Sequence, residues 1–256
     1  MLMKRLLLPF ALLAIALPLF AGEDGTLSLS PAVIMLAGDF GQSTTQTLTL
    51  MNGTSRAFAF DLVAQDVVVR DGKRTFVDAG EIAGSIAATA VFSQKHVDVP
   101  AGASVAVTMT VTLPPSTSQR AVVALFRGTN RVMSGNIPMT ASLGSLFTFT
   151  MSDKIAVATT PLTVRPQSAA ANLGVNQSLT NSGHEPFVAK GVMAVLDQKG
   201  TLVGKSELAP HRFLPGESAE LGGDYAGELH PGRYTVFVTY DYAGKTLTQS
   251  QTVEIR

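Results

Sequence analysis

The 256-residue sequence has no cysteine and no tryptophan, and only 15% of its residues are charged. Without cysteine there is no disulfide scaffold and no thiol for lipoprotein attachment, so the fold must be held by its apolar core alone. Nineteen basic residues balance nineteen acidic ones. No basic excess is present to attract the phosphate backbone of a nucleic acid. Helical periodicity is also nearly missing, which excludes bundles and coiled coils.

Met1-Leu2-Met3-Lys4-Arg5 puts two positive charges ahead of an apolar run from Leu6 to Phe20, followed by Ala21-Gly22-Glu23-Asp24. That order is the signature of a secretory signal peptide, residues 1–21, with cleavage expected near Ala21. The run is shorter than the ~20 residues a spanning helix needs, and Pro9 and Pro18 interrupt it. Leu19 stands where a small residue is favoured before the cut, so retention as an anchor is the second reading. The expected location is outside the inner membrane, in the periplasm or at the cell surface. Loss of Lys4 and Arg5 leaves acidic residues in slight excess.

What fills the remainder is short alternating runs between turn residues. Thr26–Leu36 reads as an opening strand broken by Pro31, which suits an edge that changes sheets. Thr45–Met51 alternates polar and apolar up to the turn pair Asn52-Gly53. Phe58, Phe60 and Leu62 share one face of a second strand, and Val67–Val69 reads as a third, ending at Asp71-Gly72. Residues 78–90 read as a loop with one short helical turn. Val105 to Leu113 forms a strand that stops at Pro114-Pro115, Ala121–Arg127 is compact enough for a central strand, and Gly128–Pro138 reads as a polar loop. Leu146–Met151 alternates again, and the polar stretch Ser152–Pro166 marks a boundary between domains at 22–158 and 159–256. The second half repeats the pattern, with turns at Asn181-Ser182-Gly183, Asp197–Gly200 and Leu214-Pro215-Gly216. Short strands at ~8–12-residue spacing predict an all-β protein made of two tandem sandwiches, each long enough to bury its own core.

No motif points to catalysis or to a cofactor. Gly102-Ala103-Ser104-Val105-Ala106 approaches a nucleophile elbow, but a strand rather than a helix follows it. Gly244-Lys245-Thr246 lacks the glycine and the helix of a phosphate loop. His96, His184, His211 and His230 never stand at zinc-ligand spacing, and Asp66, Asp71 and Asp78 lack the pattern of a calcium loop. Asn52-Gly53-Thr54 and Asn176-Gln177-Ser178 match a glycosylation acceptor, the first doubling as turn chemistry. A non-enzymatic protein is expected, with no cofactor and no metal.

Leu229-His230-Pro231-Gly232-Arg233-Tyr234 precedes a strand in which Tyr234, Val236, Val238 and Tyr240 share a face. The Pro231-Gly232-x-Tyr234 arrangement resembles the tyrosine corner of immunoglobulin-like sandwiches, whose phenol hydrogen-bonds back to the preceding loop. The alternation Phe147, Phe149, Met151 is the one stretch with binding physics of its own. An edge strand with unpaired backbone and alternating apolar side chains can accept a strand from another chain, although the same residues could fill the first core.

This order of elements resembles that of the periplasmic pilus-assembly chaperones: a leader, a first sandwich with a compact strand at Ala121–Arg127, a long strand at Ser142–Met151, a linker and a second sandwich. The resemblance is one of architecture over most of the chain. It implies a pilin-like protein client held by strand addition, with Phe147, Phe149 and Met151 as the partner-binding residues. The chain departs from that family in its opening strand, where Thr26–Leu36 holds no Arg or Lys for the interdomain cleft. Arg120, Arg127 and Lys154 are the nearest cations, and the resemblance assigns none of them a role. The strand-then-Asn turn at Gln46–Gly53 is also similar to paired-sandwich surface proteins of the bacterial envelope, which implies the alternative of a secreted component contacting cell-wall glycan or a surface protein through its loops.

Overall fold

The computed structural model describes residues 25–129, 132–134, 137–168 and 171–256; the leader expected at 1–21 lies outside them. The first domain contains β1 (Leu27–Ser30), β2 (Val33–Ala37), β3 (Ser43–Asn52), β4 (Phe58–Arg70), β5 (Lys73–Asp78), β6 (Val91–Phe92), β7 (His96–Val99) and β8 (Ser104–Thr112). It continues with β9 (Ala121–Gly128), β10 (Val132–Ser134), β11 (Ile137–Met139) and β12 (Ser142–Thr150). One sheet runs β1-β3-β8-β6 and the facing sheet β2-β12-β9-β4-β5, with β7 beside the start of β4. The opening segment does change sheets at Pro31: β1 pairs antiparallel with β3, and β2 pairs parallel with β12.

Period-two alternation explains the packing. In β3, Leu48, Leu50 and Asn52 turn inward. The outer hydroxyls bond across to β8, Ser43 to Thr112 and Thr45 to Thr110, both at 2.7 Å. Between the sheets lie Phe60, Phe126, Phe147, Phe149, Leu48, Leu50, Met109 and Val111. Each such side chain contributes about 1.5–3 kcal/mol by leaving water.

Two expectations change here. The second and third strands are one strand, β4, because Asp66 in its middle is buried rather than a break. Its carboxylate accepts hydrogen bonds from the Ser85 hydroxyl at 2.5 Å and from the Ile86 and Ala87 amides at 2.8 and 3.0 Å. Those donors open the short helical turn Ala87–Thr89. The polar loop at Gly128–Pro138 instead contains the two-stranded ribbon β10–β11, with Val132 opposite Met139.

The second domain contains β13 (Val157–Thr159), β14 (Thr163–Arg165), β15 (Leu173–Asn181), β16 (Phe187–Leu196), β17 (Leu202–Phe213), β18 (Ser218–Tyr225), β19 (Gly232–Tyr242) and β20 (Lys245–Ile255). One sheet places β13 and β14 on one side of β15 and β18 on the other, and the second runs β17-β16-β19-β20. β13 pairs antiparallel with β15, Val157 opposite Asn181. Both domains use the same turn out of a central strand. Asn52 donates to the carbonyl of Arg56, and Asn181 to that of Glu185, each four residues ahead. Asn52 also donates to Val99 and Pro100 and is fully buried, so it is no acceptor for a glycan. The fold is all-β, with two tandem immunoglobulin-like sandwiches.

Candidate strand-addition edge and domain junction

The structure places Phe147 and Phe149 in the first core, fully buried, with Met151 packed partly buried against it. β12 is flanked by β9 on one side and by β2 on the other over Leu146–Thr150. The expected partner-binding role of Phe147, Phe149 and Met151 is therefore corrected: the face that alternation marks as apolar is the sandwich interior, and its rim is already occupied. The Met151 amide is also engaged, donating to Glu185 at 3.0 Å.

The same strand is open elsewhere. β2 begins to pair only at Leu146, whose amide donates to the carbonyl of Ala32 at 2.9 Å. Counting back by two along β12, the amides of Gly144 and Ser142 point into that same lane, and both residues are exposed. Among the described residues no strand pairs with Ser142–Ser145 on that side, although the Pro31 carbonyl already takes the Ser145 hydroxyl at 2.7 Å. Alternation on the other side carries Leu143 and Ser145 toward β9, the direction also taken by the Gly128 amide to Ala141 at 2.8 Å. β11, just before β12 in the chain, pairs only with β10 among the described residues. Neither end of this lane carries a charged residue from Ile137 to Ser145. Next to it, Val33 and Met35 stand 43% and 52% exposed on the outer face of the sheet, beside Leu146.

That outer face turns toward the second domain. Leu214, at the end of β17, packs against Val67, Ala121 and Val123, beside a cleft of about 220 Å³ bounded by Val67–Val69, Ser118–Ala121 and Leu214-Pro215. Two carboxylates of the second domain each take an arginine of the first. Glu185 receives Arg120 through two parallel bonds of 3.0 and 3.2 Å, together with the Met151 amide and the Ser152 hydroxyl. Arg120 spends its third nitrogen on the carbonyls of Thr117 and Gln119. With Arg120 and Glu185 side chains 11% and 2% exposed, the pair is buried and complete. Glu217 receives Arg74 at 3.0 Å and the Leu214 amide at 2.8 Å, while Gly72 accepts the Ser218 amide at 2.9 Å. Of the other two cations considered, Arg127 is half exposed and 3.9 Å from Asp78, and Lys154 meets the second domain by accepting the His184 amide at its carbonyl.

The remaining sequence candidates resolve into structure. Tyr234 donates its hydroxyl to the His230 carbonyl at 2.8 Å, behind Pro231 and Gly232, the bond of a tyrosine corner. Ser104 opens β8, Ala243-Gly244 forms the turn between β19 and β20, and Lys245 opens β20. His96 bonds Asp61 at 2.7 Å, and that bond holds its imidazole above the usual histidine range. Among the described residues no three His, Asp or Glu side chains gather as metal ligands. Glu185, Glu217 and the Ser142–Ser145 lane carry no sequence motif; only the three-dimensional pairing of distant segments shows them.

No family model matches the sequence, and no curated protein matches it. Among solved structures the chain is similar to the class 5 fimbriae chaperone CfaA, at 14% identity, covering 90% of this chain and 99% of that one with a TM-score of 0.44. It is also similar to the E. coli chaperone DraB, at 16% identity, 90% and 98% coverage and a TM-score of 0.42. A third match is to the CsuC–CsuE chaperone–tip adhesion subunit complex of Acinetobacter baumannii, at 10% identity, 90% and 98% coverage and a TM-score of 0.44. The chain thus resembles fimbrial and pilus chaperones across about nine-tenths of its length.

Proposed function

We propose that this protein is a non-enzymatic, extracytoplasmic binding protein that holds an extended segment of a client protein by strand addition, in the manner of a pilus chaperone. The observation that carries this reading is the side of β12 at Ser142–Gly144 with which no strand pairs among the described residues, next in the chain to β11, which pairs only with β10 there. A foreign strand there would gain backbone hydrogen bonds from Ser142 and Gly144. The ribbon β10–β11 supports the same reading, since a two-stranded hairpin standing alone is marginal in water and gains from a third strand. Val33 and Met35 offer the client apolar contact next to that lane.

The test is a backbone change that spares the core. Ser142→Pro removes one amide from the open lane and none from the β9 ladder. Co-expressed with a pilin-type subunit lacking its last strand, the parent chain is expected to yield a soluble complex of one copy each. Ser142→Pro is expected to lose that complex while melting at the same temperature as the parent. Equal complex formation by both chains, or none by either, would overturn strand addition at this edge. Retention on purified cell wall without any client complex would favour the loop-binding alternative.

A further inference from the structure

The second domain ends on an edge that the protein leaves bare. β20 lies at the rim of its sheet, and β19 is the one strand it pairs with among the described residues. In the turn between them Ala243 and Gly244 both have positive φ, 46° and 74°, the geometry of a two-residue hairpin. Tyr242 and Lys245 therefore exchange backbone bonds, and the odd-numbered residues of β20 continue that ladder. The amides and carbonyls of Thr246, Thr248, Ser250, Thr252 and Glu254 point the other way, and all five residues are exposed. From Thr246 to Val253 the strand has no charge, proline or glycine. The other long edges are blunted. β17 carries Lys205, Glu207 and Pro210 with a register shift beside them, and β18 carries Glu220, Asp224 and a pair of glycines. Even the neighbouring β14 is served, since the Leu162 and Val164 amides donate to the Gln249 and Gln251 side chains at 3.0 and 3.1 Å. The rim of β20 has no such partner among the described residues.

The sequence of this strand reads nearly the same in both directions. Outward from Ser250 come Gln249 and Gln251, then Thr248 and Thr252, then Leu247 and Val253, and Ser250 is also the midpoint of Lys245–Ile255. We propose that β20 is a homodimer interface: two copies pair antiparallel along it about a two-fold axis at Ser250, joining their four-stranded sheets into one. That register is the one with full overlap, and it sets outward-pointing groups against outward-pointing groups in five pairs that exchange two bonds each. Thr248 meets Thr252 of the second copy, extending the hydroxyl bond of 3.0 Å between Thr239 and Thr248, while Leu247 meets Val253 on the other face. No like charges meet, because Glu254 falls opposite Thr246 and Lys245 opposite Ile255. An isologous contact of this kind closes at two copies. It lies on the second domain, apart from the lane beside Ser142, and neither depends on the other.

The test measures the mass of the purified protein by sedimentation equilibrium from about 5 to about 500 µM, the range expected of a small interface built on backbone bonds. A reversible monomer–dimer equilibrium is expected. Ser250→Lys and Ser250→Glu each place like charges face to face at the axis and are expected to weaken the dimer about tenfold or more. An equimolar mixture of the two variants is expected to recover a one-to-one dimer, since opposite charges then meet. Both variants should melt at the temperature of the dilute parent, and Gln198→Lys, in an exposed turn, should dimerise as the parent does. A parent chain that stays monomeric, that grows beyond two copies, or that dimerises unchanged after Ser250→Lys and Ser250→Glu would overturn the interface. A mixture that stays monomeric would overturn the pairing about Ser250. Ser142→Pro should leave the dimer as it is, so that loss of a client and loss of self-association are read separately.

Discussion

Two tyrosines on one strand show how much a single hydroxyl depends on its surroundings. Tyr234 donates to His230, so Tyr234→Phe is expected to cost about 1 kcal/mol in urea unfolding. Tyr240 is buried in the second core and its hydroxyl has no partner among the described residues, so Tyr240→Phe is expected to be neutral or stabilising by about 1 kcal/mol. Burial also pushes the Tyr240 phenol up to about 12. The folded state therefore keeps a proton that the unfolded chain gives up near its ordinary value. This contribution is complete below about pH 10 and declines from there through about pH 12, and Tyr240→Phe should lack that part of the alkaline loss. Removing the Asp66 side chain has the opposite effect to Tyr240→Phe, because this buried carboxylate accepts three hydrogen bonds. Asp66→Ala leaves the Ser85, Ile86 and Ala87 donors unmatched and is expected to cost about 2–3 kcal/mol by the same measurement.

At the scale of the strand, period-two alternation gave faces readily and edges poorly. It marked Leu48 and Leu50 in β3, and Phe147 and Phe149 in β12, as members of one face each, and all four are buried. It carried no information on whether that face looks into the sandwich or out from a rim, since either role asks for the same residues. Phe149→Ala is accordingly expected to destabilise the first domain by about 3–5 kcal/mol in a denaturant titration, as for a core aromatic, rather than to weaken client binding in an intact fold. Phe58–Leu62 and Val67–Val69 read as two strands, and the three donors from 85–87 are what make the buried Asp66 between them tolerable within the single strand β4. The open lane at Ser142 was hidden for another reason. It exists because β2 starts pairing at Leu146 and not earlier, a matter of register between segments more than a hundred residues apart.

Across the whole molecule, the two-sandwich layout was legible from turn spacing and the absence of helical period, whereas the junction was not. Glu185 and Glu217 sit in turns that read as ordinary polar loops. Their partners, Arg120 and Arg74, are 65 and 143 residues away. Breaking a buried, fully bonded pair leaves a charge stranded, so Glu185→Ala is expected to cost about 3–5 kcal/mol. Arg120→Ala with Glu185→Ala should cost less than the sum of the two single changes, a coupling that a double-mutant cycle in denaturant reads directly. Glu217→Ala should cost less than Glu185→Ala, because the Arg74 side chain remains 29% exposed and water can take over part of its solvation.

The turn that follows Asn181 has a bearing on how the halves come together. The Asn181 amide fixes the Glu185 carbonyl at 2.8 Å, and the Leu214 amide fixes the Glu217 carboxylate, both within the second sandwich. The Glu217 carboxylate is thereby aimed locally, before the first sandwich arrives, whereas the Glu185 carboxylate is aimed only by Arg120, the Met151 amide and the Ser152 hydroxyl. Docking then asks Arg74 to settle into a receptor that is already shaped for it, and Arg120 to complete its own together with the linker.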